Sequence, residues 1–439
     1  MKPKVLVISR DSWNDTNNSG NTLSNLFQCW ESDKIANLYF RDEIPNNKVC
    51  TQYFKISESL LVRKILRKTK VAGLKFEKRL DETREVDNEI EYQKTEKKLY
   101  DFFRNNRWHI FLWARELLWF IGKWKSKELD NFLEEFSPDI IYSPSYDSFY
   151  MHSVLYYVQK KTKAKVVYFH CDDLVTYRQY SLSPWYWVNR FVLRKYMNKS
   201  IKMADLNYCI IDEQARVYST IYRSEFKLLY KTGSFRVYPS VKKTILPINI
   251  VFTGNIIYGR INSILMLSEV LSIINRDEQK IKLQIYTANL IKDNIKVKLE
   301  NNKAVELMGK VPYEEIPKIL SNSDILLHVE SFEKEQMLAT SLSFSTKLVD
   351  YFEAAKPILA IGWEHSASIN YLKENEIGIT VSNKEQLHSE LLKLIDNTNS
   401  LEEYAKKVWD FGNLNHNKNN VLKNFESDLI YLLDKKDYA

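Results

Sequence analysis

Ser345-Thr-Lys-Leu-Val-Asp-Tyr-Phe-Glu-Ala-Ala-Lys-Pro-Ile-Leu-Ala-Ile-Gly362 is the stretch whose reading decides the fold of this chain. Leu348, Tyr351, Phe352 and Ala355 recur at i, i+3, i+4 and i+7, one face of a helix. Ser345 or Thr346 stands where an N-cap belongs, and Lys356-Pro357 ends the helix, because proline cannot continue it. Pro357 to Ile361 is then apolar without alternation, the pattern of a parallel strand covered on both faces. A helix start thus opens beside a buried sheet, where free amides and the dipole suit a phosphate. One turn on, Asp350 offers a carboxylate able to accept two hydrogen bonds from vicinal hydroxyls.

These residues resemble the S-x-x-K-x-x-E-Y-x-A-x-G-K-P block of nucleotide-sugar glycosyltransferases with the GT-B fold, in the broad family 4 (group 1). The resemblance implies that Asp350 binds the donor's ribose and that the start of the helix faces its diphosphate. Asp350 stands in place of the usual Glu, and Ala355 in place of the usual Gly. The family's pair of glutamates would also need an acid at Leu342, where this chain has none.

At 439 residues the chain is too long for one core and suits two domains. Its apolar fraction of 44% and charged fraction of 27% are those of an ordinary globular protein. Cys29, Cys50, Cys171 and Cys209 show neither close pairing nor zinc-type spacing, which points to a reducing cytoplasm and no structural metal. The apolar run Val5 to Ile8 is too short for a secretory signal. No run approaches the ~18 uncharged apolar residues of a spanning helix. The net charge of +8 concentrates at Arg63, Lys64, Arg67, Lys68, Lys70, Lys75, Lys78 and Arg79, among Leu60, Leu61, Ile65 and Leu66. A basic amphipathic helix of this kind suits either an anionic membrane surface or plain solvent. No nucleic-acid-binding motif accompanies it.

Strand-like and helical runs alternate from end to end, which predicts an α/β chain with two Rossmann-like domains facing a cleft. In the first half the strands fall at Lys4 to Ser9, Ala36 to Phe40, Asp139 to Tyr142, Lys165 to His170, Leu206 to Ile211 and Phe226 to Tyr230. A long helical insertion is expected over about 57–136, with a Trp-rich helix from Trp108 to Trp124 lying under the sheet or anchoring at an interface. A linker at 233–247 divides an acceptor domain, 1–240, from a donor domain, 241–439. The second series of strands is Asn249 to Thr253, Lys282 to Tyr286, Ala304 to Met308, Asp324 to His328, Pro357 to Ile361 and Gly378 to Val381. An amphipathic helix at 421–433 is expected to pack back on the first domain.

Chemistry-bearing residues cluster at predicted strand ends, where open α/β sheets bind ligands. Ser19, Gly20 and Asn21 lie in a polar loop after the first strand, ahead of a helix from Thr22. His170 is delivered by its strand to a mouth where it can meet a sugar hydroxyl or phosphate, with Asp172 and Asp173 beyond. Glu213 opens a helix and either shapes the cleft or stabilises the helix dipole. In the second half Gly254 and Asn255 follow a strand, and Arg260 suits the diphosphate through its planar fork. Lys347 is the natural second cation. By resemblance, Lys310 marks the turn near the nucleobase, and Glu330 with Ser331 borders the sugar pocket, whereas His328 reads as a core residue.

The expected activity is transfer of a sugar from a nucleoside-diphosphate sugar to an acceptor hydroxyl, with the resemblance implying retention at the anomeric carbon. Neither cofactor nor metal is expected. The expected partners are the nucleotide sugar, a glycan or lipid-linked acceptor in cell-surface polysaccharide or glycoconjugate assembly, and an anionic membrane touched peripherally. A catalytically silent GT-B subunit and a sugar-nucleotide epimerase stand as alternatives.

Overall fold

The computed structural model describes residues 2–67, 69, 71–78, 109–239 and 244–434. It contains two sheets. The first is built from β1 (Val5–Ser9), β2 (Ile35–Tyr39), β3 (Gln52–Lys55), β4 (Leu74–Glu77), β5 (Ile140–Pro144), β6 (Lys165–His170), β7 (Leu206–Cys209) and β8 (Lys227–Leu228). Their spatial order is β4-β3-β2-β1-β5-β6-β7-β8. All pairs are parallel except β3–β4.

The second sheet holds β9 (Ile248–Thr253), β10 (Ile281–Tyr286), β11 (Val305–Gly309), β12 (Ile325–Val329), β13 (Ile358–Ile361) and β14 (Ile379–Val381). They are ordered β11-β10-β9-β12-β13-β14 and parallel throughout. In each sheet the order reverses at the first strand, β1 or β9. Such a reversal leaves a crevice at the carboxyl ends of the strands.

Local chemistry explains the elements. Every residue of β12 and β13 is buried, which is why their sequences do not alternate. The Lys127–Phe136 helix is capped by Ser126, whose side chain accepts from the amide of Leu129. It buries Leu129, Phe132, Leu133 and Phe136 at i, i+3, i+4 and i+7 against the first sheet.

The long helical insertion is corrected. The segment 57–136 contains the Glu58–Ile65, His109–Ile121 and Lys127–Phe136 helices, but also the strand β4. Phe76 of β4 stacks on Tyr53 of β3 with ring centroids 5.3 Å apart. Four residues of alternation were too few to stand out from basic surroundings. The basic cluster is accordingly not one amphipathic helix. Arg63 and Lys64 sit on the Glu58–Ile65 helix, whereas Lys75 pairs with Glu135, and Lys78 donates to the Pro45 carbonyl. Lys68, Lys70, Arg79 and Trp108 lie outside the described residues. Trp119 and Trp124 are buried, and Trp119 stacks on Tyr150 at 4.2 Å.

The last helix, Lys418–Asp434, lies against the first sheet. Phe425 meets Phe27 edge-on at 5.7 Å, and Asp428 accepts a hydrogen bond from Tyr208 at 2.6 Å. Just before it, the buried His416 bridges the Lys231 carbonyl and the Tyr371 hydroxyl, each at 2.9 Å. Burial pushes its pKa down to about 4, so it serves as a neutral connector between the domains. Among the described residues, no helix is long and apolar enough to cross a membrane.

Candidate active site

The carboxyl ends of β9 and β12 bring together four of the predicted residues. Gly254 follows β9 with φ +136°, and a Cβ there would lie 3.5 Å from the Lys347 ammonium. Arg260 begins the Arg260–Ile274 helix and aims its guanidinium at Glu330, with Nη2 3.1 Å and Nε 3.3 Å from the same carboxylate oxygen. Glu330 is almost fully buried just past β12. Burial alone would raise its pKa, but His328 and Arg260 hold it below the ordinary carboxylate range. His328 lies in the core with Nε2 3.3 Å from Glu330, so the two form a buried unit behind Arg260.

Close approaches frame this unit. Ser263, one turn past Arg260, donates to the Glu330 carbonyl at 2.6 Å. Gly362, the last residue of the stretch quoted first, lies so near that a Cβ would come within 2.8 Å of the Glu330 Cβ. Gly259, at φ +75°, likewise has no room for a Cβ beside the Ser331 hydroxyl. Ser331 is buried, and its hydroxyl accepts from the amide of Glu333 at 3.0 Å. Sequence reasoning missed Gly259, Ser263, Gly362 and the pairing of His328 with Glu330. The i, i+2 spacing of those last two along an extended segment was the available signal.

Lys347 opens the Lys347–Glu353 helix with its ammonium 4.5 Å from the Phe252 ring and 3.5 Å from the Thr253 carbonyl. Desolvation, with Arg260 nearby, lowers its pKa to about 7. Asp350 lies one turn along. Its carboxylate accepts from Lys231 at 2.7 Å, and the same ammonium donates to the Thr346 carbonyl at 2.9 Å. The N-cap falls at Thr346, as expected. Thr346 occupies the cap position in a right-handed helical conformation without a side-chain cap bond, and the Ser345 amide donates to Ser368 Oγ at 2.9 Å. The neighbouring Ala367–Glu374 helix thus holds the residue that precedes the cap.

The remaining residues lie elsewhere. Lys310 is exposed just past the edge strand β11, two strands from β9. Asn255 is exposed and accepts from the Ile257 amide at 2.8 Å, which shapes the turn. The loop reading of Ser19, Gly20 and Asn21 is corrected, since the helix already begins at Asn18 with Asn17 as its cap. Gly20 is buried with its Cα against Asn14, where a Cβ would stand 2.0 Å from the Asn14 carbonyl oxygen. Its small size serves packing against Asn14.

His170 is also corrected. It ends β6 but is fully buried, edge-on to Tyr168, Tyr218 and Phe226 at 4.8, 5.3 and 5.5 Å. Burial drives its pKa down to about 3, which leaves the ring neutral and inaccessible to a sugar. Of the acidic pair, Asp173 is inward and structural, bonded to Arg190 at 3.0 Å and to the amides of Val175 and Thr176. Asp172 is exposed, with Ser343 of the second domain nearby, and partial desolvation raises its pKa. Glu213 pairs with Arg216 at 3.0 Å and lines an interdomain pocket of about 430 Å³ with Tyr371 and Glu374. Among the described residues no group of His, Cys, Asp and Glu is arranged to hold a metal ion.

This geometry agrees with what the chain resembles elsewhere. Residues 247–397 match the family described as "Glycosyl transferases group 1". HepE of Anabaena, solved in complex with UDP and glucose, superposes with a TM-score of 0.59 at 11% identity, over 98% of this chain and 100% of HepE. The α,α-trehalose 6-phosphate synthase of Burkholderia multivorans superposes with a TM-score of 0.61 at 9% identity, over 99% and 98% of the two chains. No curated protein matches the chain by sequence. At such identities the structural likeness speaks for the fold, and the sequence match over the second domain speaks for the family. The chain has the GT-B fold, and residues 247–397 within its second domain match the group 1 glycosyl transferases.

Proposed function

We propose that the enzyme transfers a sugar from a uridine-diphosphate sugar to an acceptor hydroxyl, with retention, in glycan or cell-surface polysaccharide assembly at the cytoplasmic side. The observation that carries this reading is the meeting of Arg260, Lys347, Glu330 and Gly254 at the switch point of the second sheet. UDP and glucose bound to the similarly folded HepE support the choice of donor.

In this reading the diphosphate lies against Arg260 and Lys347, whose charges stabilise the leaving group as the glycosidic bond breaks. Glu330 and His328 hold the Arg260 fork in place. Asp350 receives the ribose hydroxyls by exchanging or sharing its bond with Lys231. Asp172, on the opposite wall, orients the acceptor hydroxyl. The reaction uses no resident metal or cofactor.

Incubation with a panel of UDP-sugars tests the proposal. Slow release of UDP and free sugar is expected, accelerated by a suitable acceptor. A second reading, a silent subunit that binds nucleotide, is favoured by Leu342. That residue is buried in the apolar cluster of the first domain, where the family's acid would stand. Tight UDP binding with no turnover of any donor would decide for the silent subunit, and release of UDP with an epimerised sugar would decide for an epimerase.

A further inference from the structure

The Pro184–Met203 helix turns an unusual face to solvent. Its inner face buries Arg190, Leu193, Met197, Ser200 and Ile201. The outer face of a surface helix is ordinarily polar. Here it presents Trp185, Val188 and Phe191 on one side, 64%, 45% and 50% exposed, followed on the same side by Lys195 and Lys199. Leu182, 87% exposed, continues the apolar stripe beyond the helix start.

Charge singles out this region. From Leu174 to Ala204 the chain contains Arg178, Arg190, Arg194, Lys195, Lys199 and Lys202 but no Asp or Glu. Arg190 is spent inward on Asp173. Arg194 and Lys195 border an open pocket of about 290 Å³ together with Tyr177, Phe191 and Tyr222, and the Lys195 ammonium sits 4.5 Å from the Phe191 ring. Two cations beside an exposed aromatic, with apolar side chains leading away, match a phosphate headgroup and its acyl region.

We propose that this face docks on a bilayer containing anionic phospholipid. Trp185, Phe191 and Leu182 enter the headgroup boundary, while Arg194, Lys195 and Lys199 neutralise lipid phosphates. The surface is tied to the cleft. Gln179 donates to the Leu338 carbonyl at 3.1 Å, and the Lys334 ammonium lies 5.1 Å from the Tyr180 ring, both across the domain boundary. Docking therefore sets the mouth of the cleft beside the lipid surface. The inference does not depend on the transfer reaction.

Vesicle flotation tests it, using phosphatidylcholine with and without phosphatidylglycerol. The wild-type chain should float only with phosphatidylglycerol. Lys195→Gln with Lys199→Gln should weaken binding about thirtyfold, given the contribution of each cation at such a surface. Trp185→Ser with Phe191→Ser should abolish flotation, while UDP affinity and thermal midpoint stay at wild-type values. Lys64→Gln with Arg67→Gln, in the other basic region, should change nothing. The proposal is overturned if the wild-type chain does not float, if either pair on this face floats normally, or if only the Lys64 and Arg67 pair loses binding. It is also overturned if the face instead forms a concentration-dependent dimer that Trp185→Ser with Phe191→Ser dissolves.

Discussion

Arg260 reaches its position through Glu330, whose carboxylate also lies 3.3 Å from the buried ring of His328. A buried carboxylate with two such partners is costly to remove, because its partners are left uncompensated. Glu330→Ala should lower unfolding stability by about 3 kcal/mol in denaturant titrations, and should also weaken UDP binding. Arg260→Ala should cost about 2 kcal/mol in UDP affinity by calorimetry and leave uridine affinity nearly unchanged, since a charge-assisted fork on the diphosphate is lost. Equal losses for UDP and uridine would place the diphosphate elsewhere.

Lys347 adds a pH signature. With its pKa lowered to about 7, it is largely neutral at pH 8 in the free enzyme. A bound diphosphate favours the charged form, so binding at pH 8 should take up a proton, and UDP affinity should fall as pH rises above about 7. Calorimetry in buffers of different ionisation enthalpy reads that uptake, and Lys347→Met should abolish it.

At the scale of elements, the helix and strand between Ser345 and Gly362 work through their ends. The helix stops at Glu353, and Ala355 takes φ +50°, a left-handed conformation that a residue with a Cβ adopts at some cost. This is the position where the resembled family has Gly. At the other end, Gly362 gives Glu330 its place. Gly362→Ala should cost about 1–3 kcal/mol through overpacking and loosen Arg260, read as weaker UDP binding in a protein that still folds. Elements with strong patterns, such as β6 and β12, were legible because burial on both faces writes itself into consecutive apolar residues. β4 was not, because its partner β3 and the ring of Tyr53 stabilise a four-residue strand that carries little signal of its own.

At the scale of the molecule, the final helix fastens the second half of the chain to the first sheet. Phe425 packs among Phe27, Tyr142 and Tyr208, so Phe425→Ala should cost about 3–5 kcal/mol and raise amide exchange along Lys418–Asp434 before elsewhere. Uniform exchange across both sheets would mean that this helix is not a separate fastening. The α/β class and the two series of strands follow from periodicity, a local property of the chain, and the residues at the ends of β9 and β12 from the resemblance to the family's motifs. Which polar groups reach solvent does not. His170 and Asp172 stand two positions apart at the end of one strand, yet the first is sealed by Tyr168, Tyr218 and Phe226 while the second is exposed, with Ser343 nearby. The sequence by itself determined the α/β alternation, most of the parallel strands of both sheets and the identity of the cations, but not the short strands β3 and β4. Only the tertiary structure decided which side chains are buried, paired or open, because burial depends on neighbours brought from distant parts of the chain.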